Sequence, residues 1–266
     1  MLSAERNRLL RRRLFERGSI RVSEEARAFG VSEETIRRAI KLMAAEGIAD
    51  PVFGGAVLKP STTLASLGIP PVDQRGQVEE KAKAAIGAAA AALVEPGQAL
   101  IIDAGTTTLA FARCLRQHRR LTIITNSIPV AHLAADIPES VTYVVGGKLV
   151  PGSLSMIGPQ AQRDLAQVSV DWAFLGAAAI DVDRGFTSAD PYEAEVKRAM
   201  IAAARQTVIL ADATKFGSRR FATFAGAGDV DRLVTTPNVP EEARNWLEAT
   251  GTVVSIAAPA LEETLA

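Results

Sequence analysis

One short basic segment, about thirty residues into the chain, holds side chains suited to nucleic-acid chemistry. Ser32 can begin a helix, because its hydroxyl can accept a hydrogen bond from a free N–H group of the first turn. Thr35, Arg37, Arg38 and Lys41 then lie on the outer side of that helix. Adjacent residues are about 100° apart around a helix, so one guanidinium can read a guanine edge while the other contacts a phosphate. The segment therefore predicts a recognition helix for the major groove of double-stranded DNA, with these five residues as its contacts. A solvated basic helix face is the alternative.

The elements around this segment are those that a DNA-reading helix needs. The hydrophobic pattern predicts helices over residues 3–17, 24–29 and 33–46, and the glycines at 54 and 55 predict a hairpin over 48–58. In the third helix, Ile36, Ile40 and Met43 recur at i, i+4 and i+7 and are expected to face inward. Three helices followed by a hairpin form the winged helix-turn-helix arrangement.

Length and composition indicate two globular domains. The chain has 266 residues, of which 48% are hydrophobic and 23% charged, and a typical domain has about 150 residues. Residues 59–76 lack periodicity and contain three prolines, which is typical of a linker. We therefore predict a DNA-binding domain over residues 1–58, a linker over 59–76, and a second domain over 77–266.

Charge and composition also exclude several classes of protein. Residues 1–60 hold twelve Lys and Arg against eight Asp and Glu, a net charge of +4, whereas the rest of the chain has −4. A basic first domain on an acidic body is typical of a nucleic-acid-binding head. The longest uncharged apolar run, residues 84–94, is too short to span a bilayer, and charge from Glu5 onward argues against a signal peptide. With Cys114 as the sole cysteine and no Cys/His cluster, we expect a cytoplasmic protein with no structural metal, no cofactor and no membrane partner.

From residue 77 onward, helical and extended patterns alternate, which predicts a mostly parallel sheet covered by helices on both faces. The strand predicted over residues 98–103 ends at Asp103, and Thr106, Thr107 and Thr108 then open a helix. A small-residue turn at a helix N-terminus offers free N–H groups to a phosphate, and Asp103 can accept from a sugar hydroxyl. Ligands of open α/β sheets bind at such strand ends.

Three further strand ends carry polar residues or glycine. Asn126 follows the strand predicted over 121–125, Gly147 and Lys148 follow the strand over 141–145, and Lys215 follows the strand over 207–211. The two lysines would supply positive charge for an anionic ligand. We therefore expect a sugar-phosphate pocket where these turns converge, although each lysine can equally be a solvated surface residue.

The first part of the chain resembles the DNA-binding domain of DeoR-type transcriptional regulators. The resemblance rests on the V-S-x-x-T-I-R-R segment that begins at Val31 and on a hairpin that ends in G-G-A. Family members usually have an acid where this chain has Ala39, and Arg and His in the wing where it has Asp50, Pro51 and Phe53. A wing without cations is expected to hold the DNA backbone less strongly and to reduce the salt dependence of binding.

The remainder of the chain is similar to the DeoR C-terminal effector domain, through blocks such as IIDAGTTTLAFA, VVGGKLV, YEAEVKRAM and LADATKFG. The resemblance implies that residues 77–266 form a sugar-phosphate-sensing effector and oligomerisation domain. It also implies a fold similar to ribose-5-phosphate isomerases and CoA transferases, and a response to a phosphorylated sugar or polyol. By match, it implies these ligand contacts: Asp103, Thr106, Thr107, Thr108, Asn126, Gly147, Lys148 and Lys215. Glu193 and Lys197 either line the same pocket or form an ordinary i,i+4 helix pair.

Three functional hypotheses follow. The first is a DNA-binding regulator, expected to repress a sugar or polyol catabolism operon as a dimer or tetramer and to be released by its effector. The alternative is a sugar-phosphate isomerase-like enzyme carrying a DNA-binding head. The stretch from Leu175 to Ile180 lacks the acids of such isomerases, but Asp190, Glu193 and Glu195 are possible carboxylates. The third is an interaction protein without a ligand.

Overall fold

The computed structural model of the chain describes residues 6–7, 9–11, 13–14, 19–45, 48–58 and 79–257. The chain divides into two compact units, Met1–Pro71 and Val72–Ala266, called here the head and the body. The predicted linker over residues 59–76 lies outside the described residues, so the domain boundaries at 58 and 77 stay predictions.

The head has the winged helix-turn-helix arrangement. Residues 6–7, 9–11 and 13–14 are helical. The elements that follow are β1 (Ser19–Arg21), α1 (Val22–Phe29), α2 (Glu33–Ala45), β2 (Ala49–Val52) and β3 (Gly55–Leu58). The three strands form one antiparallel sheet in the order β1-β3-β2. α1 starts two residues before the predicted position, and the hairpin of β2 and β3 is confirmed.

The apolar stripes of the helices meet in a single core within the head. Ile36, Ile40 and Met43 of α2 are at most 4% exposed and pack with the buried Leu10 and Leu14. α1 ends at Gly30, whose left-handed backbone (φ 64°, ψ 39°) lets the chain turn sharply into α2. The inward face of α2 therefore fixes which of its side chains point outward.

The body is an α/β unit with a parallel sheet. Its helices are α3 (Glu80–Ala91), α4 (Thr106–Cys114), α5 (Ile128–Ala134), α6 (Pro159–Leu165), α7 (Pro191–Ala202) and α8 (Glu241–Glu248). Its strands are β4 (Ala99–Ile102), β5 (Thr122–Thr125), β6 (Val141–Val144), β7 (Lys148–Val150), β8 (Ser155–Ile157), β9 (Val170–Gly176), β10 (Ala179–Asp181), β11 (Gly185–Ser188), β12 (Ala204–Leu210), β13 (Ala222–Ala225), β14 (Arg232–Thr235) and β15 (Val253–Ile256). Short 3-10 helices cover Leu115–Gln117, Ala213–Lys215 and Ala227–Asp229.

The central sheet has seven parallel strands in the order β15-β14-β12-β9-β4-β5-β6. From β4 the chain adds β5 and β6 on one side, and then β9, β12, β14 and β15 on the other. The direction of winding therefore reverses between β4 and β9, which opens a crevice at their carboxyl ends. Below it, the buried rings of Phe111 and Phe174 pack with their centroids 4.2 Å apart.

Five short strands outside the central sheet were not predicted from the sequence. β7 and β8 form a two-stranded antiparallel ribbon, called here the ribbon, and β10, β11 and β13 form a three-stranded sheet. Each has three or four residues, too few for an alternating pattern to stand out. No helix in the described part of the chain has the length and apolar character needed to cross a membrane.

Candidate nucleic-acid interface and ligand site

The predicted DNA-binding residues lie on one exposed surface at the start of α2. Ser32 Oγ accepts a hydrogen bond from the Thr35 N–H at 3.3 Å and lies 2.9 Å from Thr35 Oγ1, so Ser32 caps the helix as expected. The Arg37, Arg38 and Lys41 side chains are exposed. The helix thus presents two hydroxyl groups and three cations to solvent while its opposite face is buried.

Both arginines of α2 contact glutamates one turn earlier on the same helix. Arg37 Nη2 lies 2.6 Å from Glu33 Oε2, and Arg38 Nε lies 3.7 Å from Glu34 Oε1. All four side chains are about half exposed or more. Exposed i,i+4 pairs contribute only about 0.3–0.5 kcal/mol, so a phosphate or a base edge can displace them at little cost.

The tip of the hairpin between β2 and β3 is apolar. Phe53 is fully exposed there and Val52 is 48% exposed, while Pro51 is exposed and Asp50 half-buried. Lys and Arg are absent from the hairpin residues 49–58. A tip of this composition offers no positive charge to a phosphate, as its sequence indicated.

In the body, a buried ion pair spans the crevice where the sheet reverses direction. Asp103 follows β4 and Gly176 ends β9, which are adjacent strands. Lys197 of α7 pairs with Asp103 Oδ2, and its Nζ also donates to the Gly176 carbonyl at 2.8 Å. The Gly176 N–H in turn donates to Asp103 Oδ2 at 3.1 Å. Asp103 and Lys197 are only 2% and 6% exposed, so this pair is almost fully buried at the carboxyl ends of β4 and β9.

The first turn of α4 begins three residues after Asp103 and offers several free hydrogen-bond donors. The backbone N–H groups of Thr106, Thr107 and Thr108 donate to no described carbonyl. Among the described residues, the Thr106 and Thr107 hydroxyls also have no partner, whereas Thr108 Oγ1 donates to the Gly105 carbonyl at 3.0 Å. Thr108 therefore offers only its amide N–H, and free N–H groups at a helix N-terminus are suited to an anion.

Asn126 lies beside Asp103 at the carboxyl edge, because β5 is the neighbour of β4. The Thr125 hydroxyl binds the Ile102 carbonyl at 2.6 Å and holds the two strand ends together. The Asn126 side-chain N–H₂ donates to the Met156 carbonyl of the ribbon at 3.3 Å. Its Oδ1 is buried and accepts from no described residue, so one acceptor remains for another donor.

Gly147 joins the central sheet to the ribbon. Its backbone has φ 137°, and a Cβ at this position would lie 2.5 Å from the Ile157 carbonyl oxygen. Glycine is therefore required by the close approach of the two strands of the ribbon. This packing role accounts for Gly147 without any ligand contact.

The two predicted lysines occupy different surroundings. Lys148 is exposed at the start of β7, in a cleft of about 520 Å³ that Arg163 and Tyr192 also line. Lys215 is half-buried in the 3-10 helix after β12, which Asp212 caps through the Thr214 N–H at 3.0 Å. Within the described residues neither lysine forms an ion pair, so both charges are available to an anion.

The remaining carboxylates that an isomerase would need are mostly engaged in structural roles. Asp181 accepts from the Asp183 and Arg184 N–H groups and forms the turn after β10. Asp190 caps α7, and Glu195 pairs with Arg198 on the surface at 2.8 Å. Each of these contacts fixes a turn, a cap or an exposed helix face.

Glu193 of α7 lies close enough to the buried pair for the charges of Lys197 and Asp103 to act on its pKa. Burial raises its pKa, opposed by the positive charge of Lys197 and by the hydrogen bond from Ser188 Oγ to its Oε2 at 3.0 Å. Of the two alternatives for Glu193 and Lys197, the helix pair is not the one formed: Lys197 binds Asp103 instead. The E-x-x-x-K spacing singled out Lys197 but not its partner, because Asp103 is 94 residues away in sequence.

Known protein families match both the head and the body of the chain. Residues 6–62 match the family model of the DeoR-like helix-turn-helix domain, and residues 78–236 match that of the DeoR C terminal sensor domain. The HTH-type transcriptional regulator YulB of Bacillus subtilis is 35% identical over 93% of this chain and 94% of its own. The glycerol-3-phosphate regulon repressor of Haemophilus influenzae is 33% identical over 87% of this chain and 88% of its own.

Among solved structures, ribose 5-phosphate isomerase A of Methanocaldococcus jannaschii is 22% identical, covers 52% of this chain and 55% of its own, and superposes with a TM-score of 0.38. The two family matches together span most of the chain, and the sensor-domain match alone covers more than half of it. The curated relatives are named as regulators or repressors rather than as enzymes. The chain therefore belongs to the DeoR family of DNA-binding transcriptional regulators.

Proposed function

We propose that this protein represses an operon for sugar or polyol catabolism and is released from DNA by a phosphorylated sugar or polyol. The observation that carries this proposal is the grouping of free amide groups and polar side chains at the reversal point of the sheet. Asp103, Lys197 and the first turn of α4 meet there. The name of the Haemophilus influenzae relative, a glycerol-3-phosphate regulon repressor, supports a phosphorylated polyol or sugar as the effector.

The DNA contacts proposed for α2 are Ser32, Thr35, Arg37, Arg38 and Lys41. Their support is that the three cations are exposed on the side of α2 away from its buried face, while Ser32 and Thr35 lie at its N-terminal end. A recognition helix presents its N-terminal residues to base edges while neighbouring groups hold phosphates. The arginines are the best suited to guanine, and the hydroxyls to phosphate oxygens.

For the effector, we propose that the phosphate binds at the first turn of α4. The free N–H groups of that turn and the Thr106 and Thr107 hydroxyls supply donors, and Lys148 and Lys215 supply charge. Asn126 Oδ1, which has no partner among the described residues, supplies an acceptor. Asp103 acts through Lys197, and Thr108 and Gly147 act mainly through the backbone.

Regulation further requires that the effector bind two arrangements of the protein differently. We propose a homo-oligomer, a dimer or tetramer acting on DNA in the cytoplasm, whose heads bind paired half-sites in one arrangement and not in the other. A tenfold change in operator occupancy corresponds to about 1.4 kcal/mol of coupling. The isomerase alternative has less support, because Asp181, Asp190 and Glu195 are engaged in turns, caps and surface pairs.

The DNA-binding part is tested by selecting bound duplexes from a random library and measuring their gel retardation. Arg37→Ala is expected to abolish retardation at physiological salt, since a lost bidentate contact to guanine typically costs about 1–3 kcal/mol and a charge is lost as well. Arg205→Ala, an exposed arginine of the body, is the control and should bind normally. Retardation that survives Arg37→Ala would remove the assignment of α2 as the recognition helix.

The effector part is tested by thermal shift against a panel of phosphorylated sugars and polyols. At least one compound should stabilise the wild-type protein, and Thr107→Ala or Lys215→Ala should reduce that stabilisation while DNA retardation stays intact. A panel without any shift would leave the interaction protein without a ligand as the better hypothesis.

A further inference from the structure

The polar cluster at the crevice contains more acid than base. Asp103 and Glu193 carry carboxyl groups, Ser188 a hydroxyl, and Lys197 an ammonium that is already paired with Asp103. The positive charge of Lys197 acts on Glu193, and the negative charges of Asp103 and of Asp190, the cap of α7, act against it. No cation in the described part of the body hydrogen-bonds to Glu193.

Within this cluster, Glu193 is the member that a ligand can reach. Asp103, Ser188 and Lys197 are 2%, 1% and 6% exposed, whereas Glu193 is only half-buried. Its Oε2 accepts a hydrogen bond from the buried Ser188 Oγ, which fixes the orientation of the carboxyl group. Among the described residues its Oε1 has no hydrogen-bond partner, so an oriented acceptor is left at the accessible end of the cluster.

The charge at this position selects the kind of group that fits. At Glu193 a phosphate would meet the negative charges of Glu193 and Asp190, whereas the charge of Asp103 is already paired with Lys197. A hydroxyl group can donate to the oriented carboxyl oxygen, and hydrogen bonds to charged acceptors are the stronger ones. The first turn of α4, with its free N–H groups, attracts the opposite end of such a molecule.

Building on the proposed function, we propose that Glu193 accepts a hydrogen bond from a hydroxyl group of the effector. The effector then lies with its phosphate at α4 and its hydroxylated end against α7. Glu193 thereby makes the protein select phosphorylated polyhydroxy compounds over phosphate itself. Lys197 lies one turn after Glu193 on α7 and binds Asp103 and Gly176, so it is a positioning residue that holds this face of the helix in place.

Isothermal titration of the full-length protein tests this orientation. The ligands are ribose 5-phosphate, fructose 6-phosphate, glycerol 3-phosphate, propyl phosphate (which lacks hydroxyl groups on its chain) and inorganic phosphate. The variants are Glu193→Met, which removes the acceptor at similar length, Glu193→Gln, which retains an acceptor oxygen, and Glu195→Met, the matched control on the exposed side of α7.

For the wild-type protein, the tightest of the three hydroxylated phosphates should bind at least about tenfold more strongly than propyl phosphate. Glu193→Met should remove most of this preference and leave the affinity for inorganic phosphate within about twofold. Glu193→Gln should retain part of the preference, and Glu195→Met all of it.

Several results would overturn the inference. They are equal wild-type affinities for propyl phosphate and the hydroxylated compounds, an undiminished preference in Glu193→Met, or an equal loss of affinity for all five ligands in that variant. The comparison with propyl phosphate needs no variant, so it decides the matter even where Glu193→Met does not fold. If the wild-type protein binds none of the three hydroxylated phosphates, this inference fails; the proposed function fails only if the thermal-shift panel also shows no shift.

Discussion

Replacing Lys197 with methionine should destabilise the body strongly. Methionine has a similar length but no charge, so Asp103 would remain buried at 2% exposure with the Gly176 N–H as its main remaining partner. Removing one member of a buried ion pair typically costs about 3–5 kcal/mol, because the other charge is left uncompensated. Both members are almost fully buried, so solvent screening should reduce this figure little.

The tryptophans of the chain provide a selective assay for this prediction. Both of them, Trp172 in β9 and Trp246 in α8, belong to the body, so intrinsic fluorescence reports the unfolding of the body without a signal from the head. A loss of about 3–5 kcal/mol corresponds to a fall in Tm of roughly 6–20 °C for a unit of this size. Lys215→Met removes a half-buried lysine that forms no ion pair within the described residues, and should cost about 1 kcal/mol or less.

A double variant decides whether the buried charge is the cause. Asp103→Asn removes the charge that Lys197→Met leaves behind, while the amide oxygen can still accept from the Gly176 N–H. The double variant should therefore be more stable than Lys197→Met alone. If the two losses simply add, the pair does not interact as its contact indicates and the reasoning is refuted.

Two further predictions concern the wing and the acid of α7. Phe53→Arg should steepen the fall of log affinity for DNA with log salt concentration by about 0.9, as one added phosphate contact would; an unchanged slope would mean that the tip does not approach the DNA. Glu193→Gln should change how stability depends on pH. Burial raises the pKa of Glu193, so the folded protein keeps a proton that the unfolded chain has lost, and wild-type stability falls as pH rises through that range. Urea titrations of the body should show the variant gaining stability relative to wild type as pH rises above the ordinary glutamate range, and parallel profiles would contradict this.

The order of elements could be predicted from the sequence because long apolar patterns determine it. The strands that form the central sheet and the helices between them all occur where the alternating pattern indicated. The outward face of α2 also followed directly, since Ile36, Ile40 and Met43 determine which side is buried. The ribbon and the sheet of β10, β11 and β13 did not, because strands of three or four residues are defined by their partners rather than by their own pattern.

The candidate ligand site was less predictable, since it depends on contacts between distant parts of the chain. Strand order brings Asp103 and Asn126 side by side, and their position after apolar strands indicated this. The partner of Asp103 was not evident, because Lys197 is 94 residues further on and its spacing from Glu193 equally suits a helix pair. A ligand contact of Gly147 stays a prediction, and the close approach of the Ile157 carbonyl is by itself sufficient to require a glycine there.

The most direct test is the affinity of the full-length protein for its selected DNA duplex, measured with and without a saturating phosphorylated sugar or polyol. Coupling between the body and the head predicts that at least one such compound changes the apparent Kd for DNA by about tenfold or more, which is about 1.4 kcal/mol. The same Kd in the presence of every phosphorylated compound that binds the body would contradict the account.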